Sequence, residues 1–372
     1  MRLGIPKETK HGENRVAISP DVVKILAKAG FSCLIESDAG LNASLTNDAY
    51  KAAGAEIAQN AADVYSNTDI VLKVNAPTVD EAKMLKEGSC LISFVYAYTI
   101  PDVIAVLNQK RITCFAMDAV PRISRAQKMD ALSSQANLAG YKSVILGADT
   151  LGKIFPMLMT AAGTITPSKV LIFGAGVAGL QAIATAKRLG AVVEVTDVRP
   201  ETKEQVESLG GKFLQVQSAA EVKIEGGYAK EVSKEYLDAQ KELIQKHIKD
   251  ADLVITTALV IGRKAPILVT EDMVKTMKTG SVIVDMAVES GGNCDISEKG
   301  ATVKKHGVTI IGETNLPSLL PYNASELYAK NIATFLLHIA NKDGFIWEAE
   351  EEIAKGSLIT QNGNSVHPSI TK

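Results

Sequence analysis

A short apolar strand, a glycine-rich turn and a helical pattern follow one another between Val170 and Gly190. In such a unit the first glycine permits a tight turn, the second lets the backbone approach a pyrophosphate, and the third lets the helix pack closely on the strand. The pyrophosphate then lies against free N–H groups at the positive end of the helix. A glycine turn without a ligand is the alternative, because such turns are common in α/β proteins. The cofactor residues predicted here are Gly174, Ala175, Gly176, Val177 and Gly179.

An acidic residue follows the next predicted strand. This strand covers residues 191–196 and is followed by Asp197, at about the 20-residue interval where a carboxylate accepts hydrogen bonds from the adenosine ribose. Its negative charge would repel a 2′-phosphate, which favours NAD(H) over NADP(H). Val198 and Arg199 complete this part of the predicted cofactor site. Arg199 is the one feature that favours NADP(H), and the pattern favours a solvated or helix-capping role for it.

Two series of short apolar runs alternate with amphipathic helical patterns along the 372 residues. This alternation is typical of parallel sheets that carry helices on both faces. The first series of predicted strands covers residues 2–5, 32–36, 70–74, 90–95 and 112–117, and the second covers residues 169–173, 192–196, 253–257, 281–285 and 308–311.

The fold class predicted from these series is α/β, with two doubly wound Rossmann-like domains. Residues 1–130 plus 313–372 are expected to form the first domain, and residues 131–312 the NAD(H)-binding domain, inserted in the first. Residues 131–159 are predicted to be mostly helical and to pack along the second domain. Residues 325–339 are predicted to form a long helix that returns to the first domain. A deep cleft between the two domains is the expected ligand site.

Composition and spacing exclude several classes of protein. A formal net charge of -2 without a block of like charges argues against a nucleic-acid partner, which would need a basic surface. The four cysteines are scattered and no N-terminal signal is visible, so we expect reduced thiols in a cytosolic protein. The five histidines show no metal-ligand spacing, and no metal site is predicted. No apolar stretch predicts a membrane-spanning helix.

Several segments resemble the superfamily of alanine dehydrogenases and nicotinamide nucleotide transhydrogenases. They are the glycine turn and the segments GENRVAISP (12–20), PRISRAQKMD (121–130), SSQANLAGY (133–141) and GGYAK (226–230). Within the superfamily, the chain is most similar to the NAD(H)-binding component, domain I, of proton-translocating transhydrogenases. The resemblance extends from Met1 to about Pro368 and is most specific in residues 122–130.

The residues also bear on which branch of the superfamily is the better match. An amino-acid dehydrogenase moves a proton as well as a hydride and therefore needs an acid/base group beside the substrate. The resemblance implies that Arg15 and Lys73 correspond to residues that hold the substrate in alanine dehydrogenases, and that Tyr96 lies where those enzymes carry a catalytic histidine. Their aspartate is matched here by Glu289. We therefore interpret Arg15 and Lys73 as scaffold or binding charges without a catalytic task; simple surface or capping charges are the alternative.

The resemblance implies two further parts of the site. The loop that positions the nicotinamide and its ribose in transhydrogenases is matched by Arg122, Gln127 and Asp130, with Ser133 one turn further along. Gln127 can donate to and accept from ribose hydroxyls, while Arg122 and Asp130 can pair to fix the loop. A surface loop with an Arg–Asp ion pair is the alternative.

Gly226-Gly227-Tyr228 resembles a mobile loop that closes on the bound nucleotide, and we expect the helix after it to start at Ala229. Gly227 is a predicted cofactor contact and Tyr228 a predicted catalytic-site residue; an ordinary helix entry is the alternative. Leu259 follows a predicted strand and is expected to touch the adenosine side of the cofactor.

The resemblance implies a peripheral component that binds NADH and passes a hydride to NADP⁺ held by a partner component. It implies a homodimer, a partner that binds NADP(H), and a membrane partner that forms the proton channel. The membrane parts are expected on other polypeptides, and the chain itself on the cytoplasmic side of the inner membrane. Two alternatives stay open: an amino-acid dehydrogenase of the alanine type, and a non-catalytic NAD(H) sensor or scaffold.

Overall fold

The structure, a computed structural model, describes residues 1–216, 223–225, 228–231, 234–259, 264–348 and 350–371. The chain divides into two compact units. Unit 1 consists of Met1–Gln135 and Pro317–Lys372, and unit 2 of Ala136–Leu316. The boundaries predicted from the sequence were residues 130/131 and 312/313.

Strands and helices alternate through most of the described chain. The strands are β1 (Arg2–Ile5), β2 (Ser32–Glu36), β3 (Glu56–Ala58), β4 (Ile70–Leu72), β5 (Cys90–Ser93), β6 (Thr113–Ala116), β7 (Leu158–Thr160), β8 (Gly163–Ile165), β9 (Lys169–Phe173), β10 (Val192–Thr196), β11 (Lys212–Phe213), β12 (Lys223–Glu225), β13 (Tyr228–Glu231), β14 (Leu253–Thr256), β15 (Val282–Asp285), β16 (Thr302–Lys305), β17 (Val308–Ile311), β18 (Ala340–Asn341), β19 (Gly344–Phe345), β20 (Leu358–Gln361) and β21 (Asn364–Ser365). The helices are α1 (Pro20–Lys28), α2 (Asn47–Ala52), α3 (Ala61–Ser66), α4 (Val79–Met84), α5 (Pro101–Gln109), α6 (Ala131–Thr150), α7 (Val177–Arg188), α8 (Thr202–Ser208), α9 (Lys234–Ile248), α10 (Glu271–Thr276), α11 (Pro321–Ile339) and α12 (Glu352–Ser357).

Unit 1 is built on a sheet with the strand order β21-β20-β6-β5-β4-β1-β2-β3. Neighbouring strands from β3 to β6 are parallel, whereas β20 runs antiparallel to β6. Successive residues of β4 enter different cores, because side chains alternate between the faces of a strand. Ile70 packs with the apolar residues of α1 and α11, and Val71 packs with those of α5. The sheet is therefore covered by helices on both faces.

Unit 2 has the strand order β11-β10-β9-β14-β15-β17-β16, and its strands are parallel except for β16. Val170 and Ile172 of β9 pack with α7, whereas Leu171 and Phe173 pack with α9 and α10. From β9 the chain first builds outward through β10 and β11 and then returns to add β14 on the other side of β9. This switch point at the carboxyl end of β9 is the place where doubly wound sheets bind ligands.

Two local expectations were wrong. Residues 131–159 do not stay helical, since α6 ends at Thr150 and Leu158–Thr160 pairs with Gly163–Ile165 as an antiparallel hairpin. The helix expected from Ala229 begins only at Lys234, and Tyr228–Glu231 instead pairs with Lys223–Glu225. Among the described residues, no helix is long and apolar enough to cross a bilayer. The same residues contain no cluster of three or more His, Cys, Asp or Glu side chains that could hold a metal ion.

Candidate functional site

The glycine turn of unit 2 leaves no room for side chains at its first and third glycines. Gly174 has φ +98°, a conformation that favours glycine, and an added Cβ would lie 2.4 Å from Oγ1 of Thr257. At Gly179 an added Cβ would lie 1.9 Å from the carbonyl oxygen of Gly174. Both contacts are too short for real atoms. These two glycines are therefore required by the protein's own packing, as the sequence pattern predicts.

Gly176 differs from its two neighbours because the protein leaves the space beside it open. An added Cβ would meet no atom of the described residues closer than Nη2 of Arg199, at 3.9 Å. Gly176 is the N-cap of α7, whose first turn contains no acidic residue and whose last turn contains Lys187 and Arg188. The first amides of a helix have no partner within the helix, and its N-terminus attracts anions. This position therefore fits a pyrophosphate that approaches the backbone.

Asp197 lies at the carboxyl end of β10 and is only 7% exposed. Its carboxylate accepts hydrogen bonds from the backbone N–H of Ala175 at 2.6 Å and of Arg199 at 2.8 Å. The Arg199 guanidinium donates to the same carboxylate through Nε and Nη2. The expectation that Arg199 is a solvated or helix-capping charge was therefore wrong. Val198 is half-buried between the two.

The segment after β14 supports the glycine turn from the neighbouring strand. Thr257 Oγ1 donates to the carbonyl oxygen of Phe173 at 3.0 Å, which fixes the start of the turn. Leu259, two residues further on, is 44% exposed at the same edge of the sheet. Leu259 was predicted from the sequence, whereas Thr257 was missed. The signal for Thr257 was a hydroxyl residue at the end of the strand that neighbours β9.

The nicotinamide loop predicted from the resemblance lies in unit 1, where Ser124–Met129 forms a 3-10 helix. Buried Ala126 and Met129 anchor it in the core, while Arg122 and Gln127 are exposed. The loop contains a pocket of about 250 Å³. Its lining residues are Pro121, Arg122, Ile123, Ser124, Ala126, Gln127 and Asp130. Three of the predicted residues, Arg122, Gln127 and Asp130, are thus brought together around one pocket.

The fourth predicted residue of this loop, Ser133, joins the group through Asp130. The Asp130 carboxylate accepts hydrogen bonds from the backbone N–H of Ser133 at 2.8 Å and from its hydroxyl at 2.6 Å. This arrangement also caps the first turn of α6. Asn331 of α11 holds the loop from below, because its Nδ2 donates to the carbonyl oxygen of Lys128 at 2.8 Å. The pocket therefore stands on two fixed elements of unit 1.

Arg15 forms a buried ion pair in unit 1. Its guanidinium donates to both oxygens of Glu13, at 2.8 and 2.6 Å, and to Oε1 of Gln135. Burial by itself would raise the pKa of Glu13, but the hydrogen bonds and charge of Arg15 outweigh burial and lower it to about 2. The alternative in which Arg15 is a surface charge is therefore wrong.

Lys73 is likewise buried, at 1% exposure. Its ammonium lies 3.4 Å from Glu8 and 3.3 Å from Glu81. Burial would lower the pKa of Lys73, yet the two carboxylates keep it above its ordinary value. With Arg15 and Glu13, the group contains two cations and three carboxylates. Both basic side chains are thus neutralised inside the protein.

Three other predicted positions have different outcomes. Gly227 lies outside the described residues, and Tyr228 is described only as the first residue of β13. Tyr96 is 43% exposed and has φ 45°, which is unusual for a residue with a side chain. The backbone N–H groups of Val95 and Tyr96 donate to the carboxylate of Asp118, which holds this turn.

Comparisons with known proteins agree with this arrangement. Two family models match, described as the alanine dehydrogenase/PNT N-terminal domain over residues 4–139 and the C-terminal domain over residues 143–368. The chain belongs to the alanine dehydrogenase/PNT family. The predicted α/β Rossmann-like fold and the predicted superfamily are therefore confirmed, and the chain is an oxidoreductase of this family with a Rossmann-type nucleotide-binding unit.

Relatives come from both branches of the family. An NAD(P) transhydrogenase alpha subunit of Rhodospirillum rubrum is 52% identical over 380 residues, covering 100% of this chain and 99% of the relative. Alanine dehydrogenase of Bacillus subtilis is 30% identical over 380 residues, covering 100% of this chain and 94% of the relative. The crystal structure of a transhydrogenase from Sinorhizobium meliloti is 42% identical, with a TM-score of 0.87, and covers 99% of this chain and 100% of that one.

Proposed function

We propose that this chain is the NAD(H)-binding component of a proton-translocating transhydrogenase. In this role it binds NADH in unit 2 and passes a hydride to NADP⁺ held by a partner component. The observation that carries the choice of branch is the 52% identity with a transhydrogenase alpha subunit over the whole chain, against 30% with alanine dehydrogenase. The open space at Gly176 beside a buried acidic residue supports the nucleotide-binding half of the proposal.

Each group of described residues has a task in this function. Gly176 and the first turn of α7 hold the pyrophosphate, and Asp197 accepts hydrogen bonds from the adenosine ribose. The nicotinamide of bound NADH supplies the hydride. Arg122, Gln127 and Asp130, with Ser133, orient that ring and its ribose. Hydride exchange between two such rings needs geometry and exclusion of water but no proton acceptor at the reacting carbons.

The remaining predicted contacts surround the bound nucleotide. Leu259 contacts its adenosine moiety, and Val198 and Arg199 lie beside the ribose acceptor Asp197. Gly227 and Tyr228 belong to a loop that closes on the nucleotide and keeps water out. Tyr228 acts in closing the loop, so a phenylalanine in its place should loosen binding only modestly.

The buried charges of unit 1 argue against the amino-acid dehydrogenase alternative. A keto-acid carboxylate would need the guanidinium of Arg15 or the ammonium of Lys73 as a partner. Arg15 is already engaged by Glu13 through a two-point ion pair, and Lys73 lies between Glu8 and Glu81. An added carboxylate would raise the local negative charge in a buried environment, which is unfavourable. We therefore assign these residues a structural task.

The partners belong to the proposal as well. They are a component that binds NADP(H) and a membrane component that forms the proton channel, with this chain on the cytoplasmic side of the inner membrane. We also propose a homodimer. The hairpin β7–β8 supports it, because residues 156–166 are all exposed and carry no charge. Met157 and Met159 are 60% and 75% exposed, and a two-stranded hairpin is only marginally stable on its own in water. Sedimentation should show a dimer that Met159→Glu shifts toward monomer.

The decisive experiment mixes this chain with NADH and a thio-analogue of NADP⁺, with and without a purified NADP(H)-binding component. Transfer should appear only when the partner is present. Pyruvate with ammonia should give no oxidation of NADH by the chain alone. Reduction of keto acids would instead establish an amino-acid dehydrogenase. NADH binding without transfer to any acceptor would establish the sensor or scaffold alternative.

A further inference from the structure

Asn293 is a fully buried amide in unit 2 that no sequence pattern singles out. Its Nδ2 donates to the carbonyl oxygen of Ala258 at 2.9 Å and to that of Pro266 at 2.8 Å. Its Oδ1 accepts from the backbone N–H of Ala258 at 3.0 Å. One amide thus uses both donors and an acceptor on the backbone at two points of the same connection.

Asn293 is itself held from the carboxyl end of β15. The backbone N–H of Asn293 donates to both carboxylate oxygens of Asp285, at 3.2 and 3.0 Å. Asp285 is 0% exposed and also accepts from Thr256 Oγ1, from Ser297 Oγ and from the backbone N–H of Cys294. A buried carboxylate with this many donors fixes the chain around it. The Asn293 amide therefore has a rigid support.

The backbone that Asn293 grips carries two residues of the nucleotide edge. Thr257 precedes Ala258 and donates to the carbonyl oxygen of Phe173, directly before the glycine turn. Leu259 follows Ala258 and is exposed at the same edge. A shift of Ala258 would move both residues, since each is joined to it by a peptide bond.

We propose that Asn293 is a positioning residue of the nucleotide site, which holds Thr257 and Leu259 in place through the backbone of Ala258. Asn293 itself does not touch the nucleotide. The inference rests on the proposed binding of NADH to unit 2. It adds a second element, the turn after β15, to the glycine turn and to Asp197 as a determinant of affinity.

Asn293→Asp tests the role with a side chain of the same size. An ionised carboxylate keeps the acceptor for Ala258 but removes both donors and places negative charge against two carbonyl oxygens. We expect the dissociation constant for NADH, measured by fluorescence titration at pH 8, to rise about tenfold. Asn293→Ser removes the same donors without adding a charge and should also weaken binding. It keeps the test available if the aspartate variant does not fold.

The pH dependence gives a readout that a general loss of stability would not produce. Burial beside two carbonyl oxygens should raise the pKa of the introduced carboxyl group above its usual range. Protonation restores one O–H donor. The NADH affinity of Asn293→Asp should therefore recover toward that of the wild type as pH falls from 8.5 to about 6, whereas Asn293→Ser should show no such recovery.

Asp252→Asn is the matched control, because it perturbs the opposite edge of the same sheet. Asp252 pairs with Lys153 at 2.9 Å and with Lys278 at 3.0 Å, at the amino end of β14. This variant should lower the Tm and leave the affinity for NADH unchanged. Wild-type affinity in both Asn293 variants, or an equal loss of affinity in Asp252→Asn, would overturn the positioning role alone. Failure of the wild-type chain to bind NADH would overturn the proposed function together with this role.

Discussion

The Arg199 guanidinium and the Asp197 carboxylate form a two-point ion pair, with Nε to Oδ1 at 2.9 Å and Nη2 to Oδ2 at 2.8 Å. The backbone N–H groups of Arg199 and Ala175 donate to the same two oxygens. Each oxygen therefore already accepts two hydrogen bonds, which is its ordinary capacity. A ribose hydroxyl has to replace one of these donors. We expect the Arg199 side chain to move, because the two backbone donors are fixed by the chain around them.

Asp197→Asn should weaken binding of NADH about tenfold, because a charge-assisted acceptor becomes a neutral one. It should also narrow the preference for NADH over NADPH, since less negative charge faces a 2′-phosphate. Fluorescence titration of wild type and variant with both nucleotides measures the two effects. Similar dissociation constants of the wild-type chain for NADH and NADPH would contradict the role given to Asp197.

Gly176→Ala and Gly179→Ala should separate nucleotide binding from packing. A Cβ at Gly176 would have Arg199 Nη2, at 3.9 Å, as its nearest neighbour among the described residues, so the free energy of unfolding should change by no more than about 1 kcal/mol. The same methyl group would occupy the place of the pyrophosphate, and NADH affinity should fall strongly.

At Gly179 the added Cβ would lie 1.9 Å from the carbonyl oxygen of Gly174, so this variant should lose about 2 kcal/mol of stability or more. Urea unfolding and NADH titration of both variants provide the comparison. A Gly176→Ala variant with full affinity would mean that no phosphate approaches this turn.

Much of the architecture could be predicted because strands and helices of this fold leave strong local signals. The buried strand Lys169–Phe173 reads as a continuous apolar run, and Pro101 marks the start of α5. The short strand Lys212–Phe213 and the charged strand Thr302–Lys305 were missed because edge strands bury little apolar surface. The hairpin β7–β8 was missed because its apolar residues continue the pattern of α6.

The candidate site was predictable where a ligand imposes a local pattern, and not where a residue acts across the fold. Gly174 and Asp197 belong to one short unit with fixed spacing, so the sequence alone identifies them. Arg199 and Asn293 act through partners that only the folded chain brings near. The pairing of Arg199 with Asp197 spans two residues but depends on the turn after β10, and Asn293 contacts Ala258, 35 residues away. No spacing rule predicts either contact.

The pair of Glu13 and Arg15 should make unit 1 sensitive to acid. The pKa of Glu13 is about 2 in the folded chain, below its ordinary value of 4.5. A lowered pKa in the folded state stabilises fully above 4.5, and this stabilisation is lost as pH falls toward about 2. It amounts to about 3 kcal/mol.

Glu13→Gln removes this contribution and leaves Arg15 without its charged partner in a buried environment. The free energy of unfolding at pH 7 should fall by about 3–5 kcal/mol. Its decrease between pH 5 and pH 3 should be smaller than in the wild type. Urea unfolding between pH 3 and pH 7, followed by a probe in unit 1, measures both quantities. Parallel pH profiles of wild type and variant would show that another group controls the acid response.

The last prediction concerns Gln127, which lines the pocket of unit 1 together with Arg122 and Asp130. If this loop sets the geometry of the nicotinamide, Gln127→Asn should shorten the side chain without removing its amide. Transfer to a partner-bound NADP⁺ analogue should then slow on the order of a hundredfold, because a small misplacement of reacting carbons has a large effect on rate. Binding of NADH, which depends mainly on unit 2, should weaken much less. Lys128→Ala, in the same loop but outside the pocket lining, is the matched control and should leave both quantities unchanged. Equal losses of binding and transfer in Gln127→Asn would make this residue an ordinary binding contact and not one that orients the reacting ring.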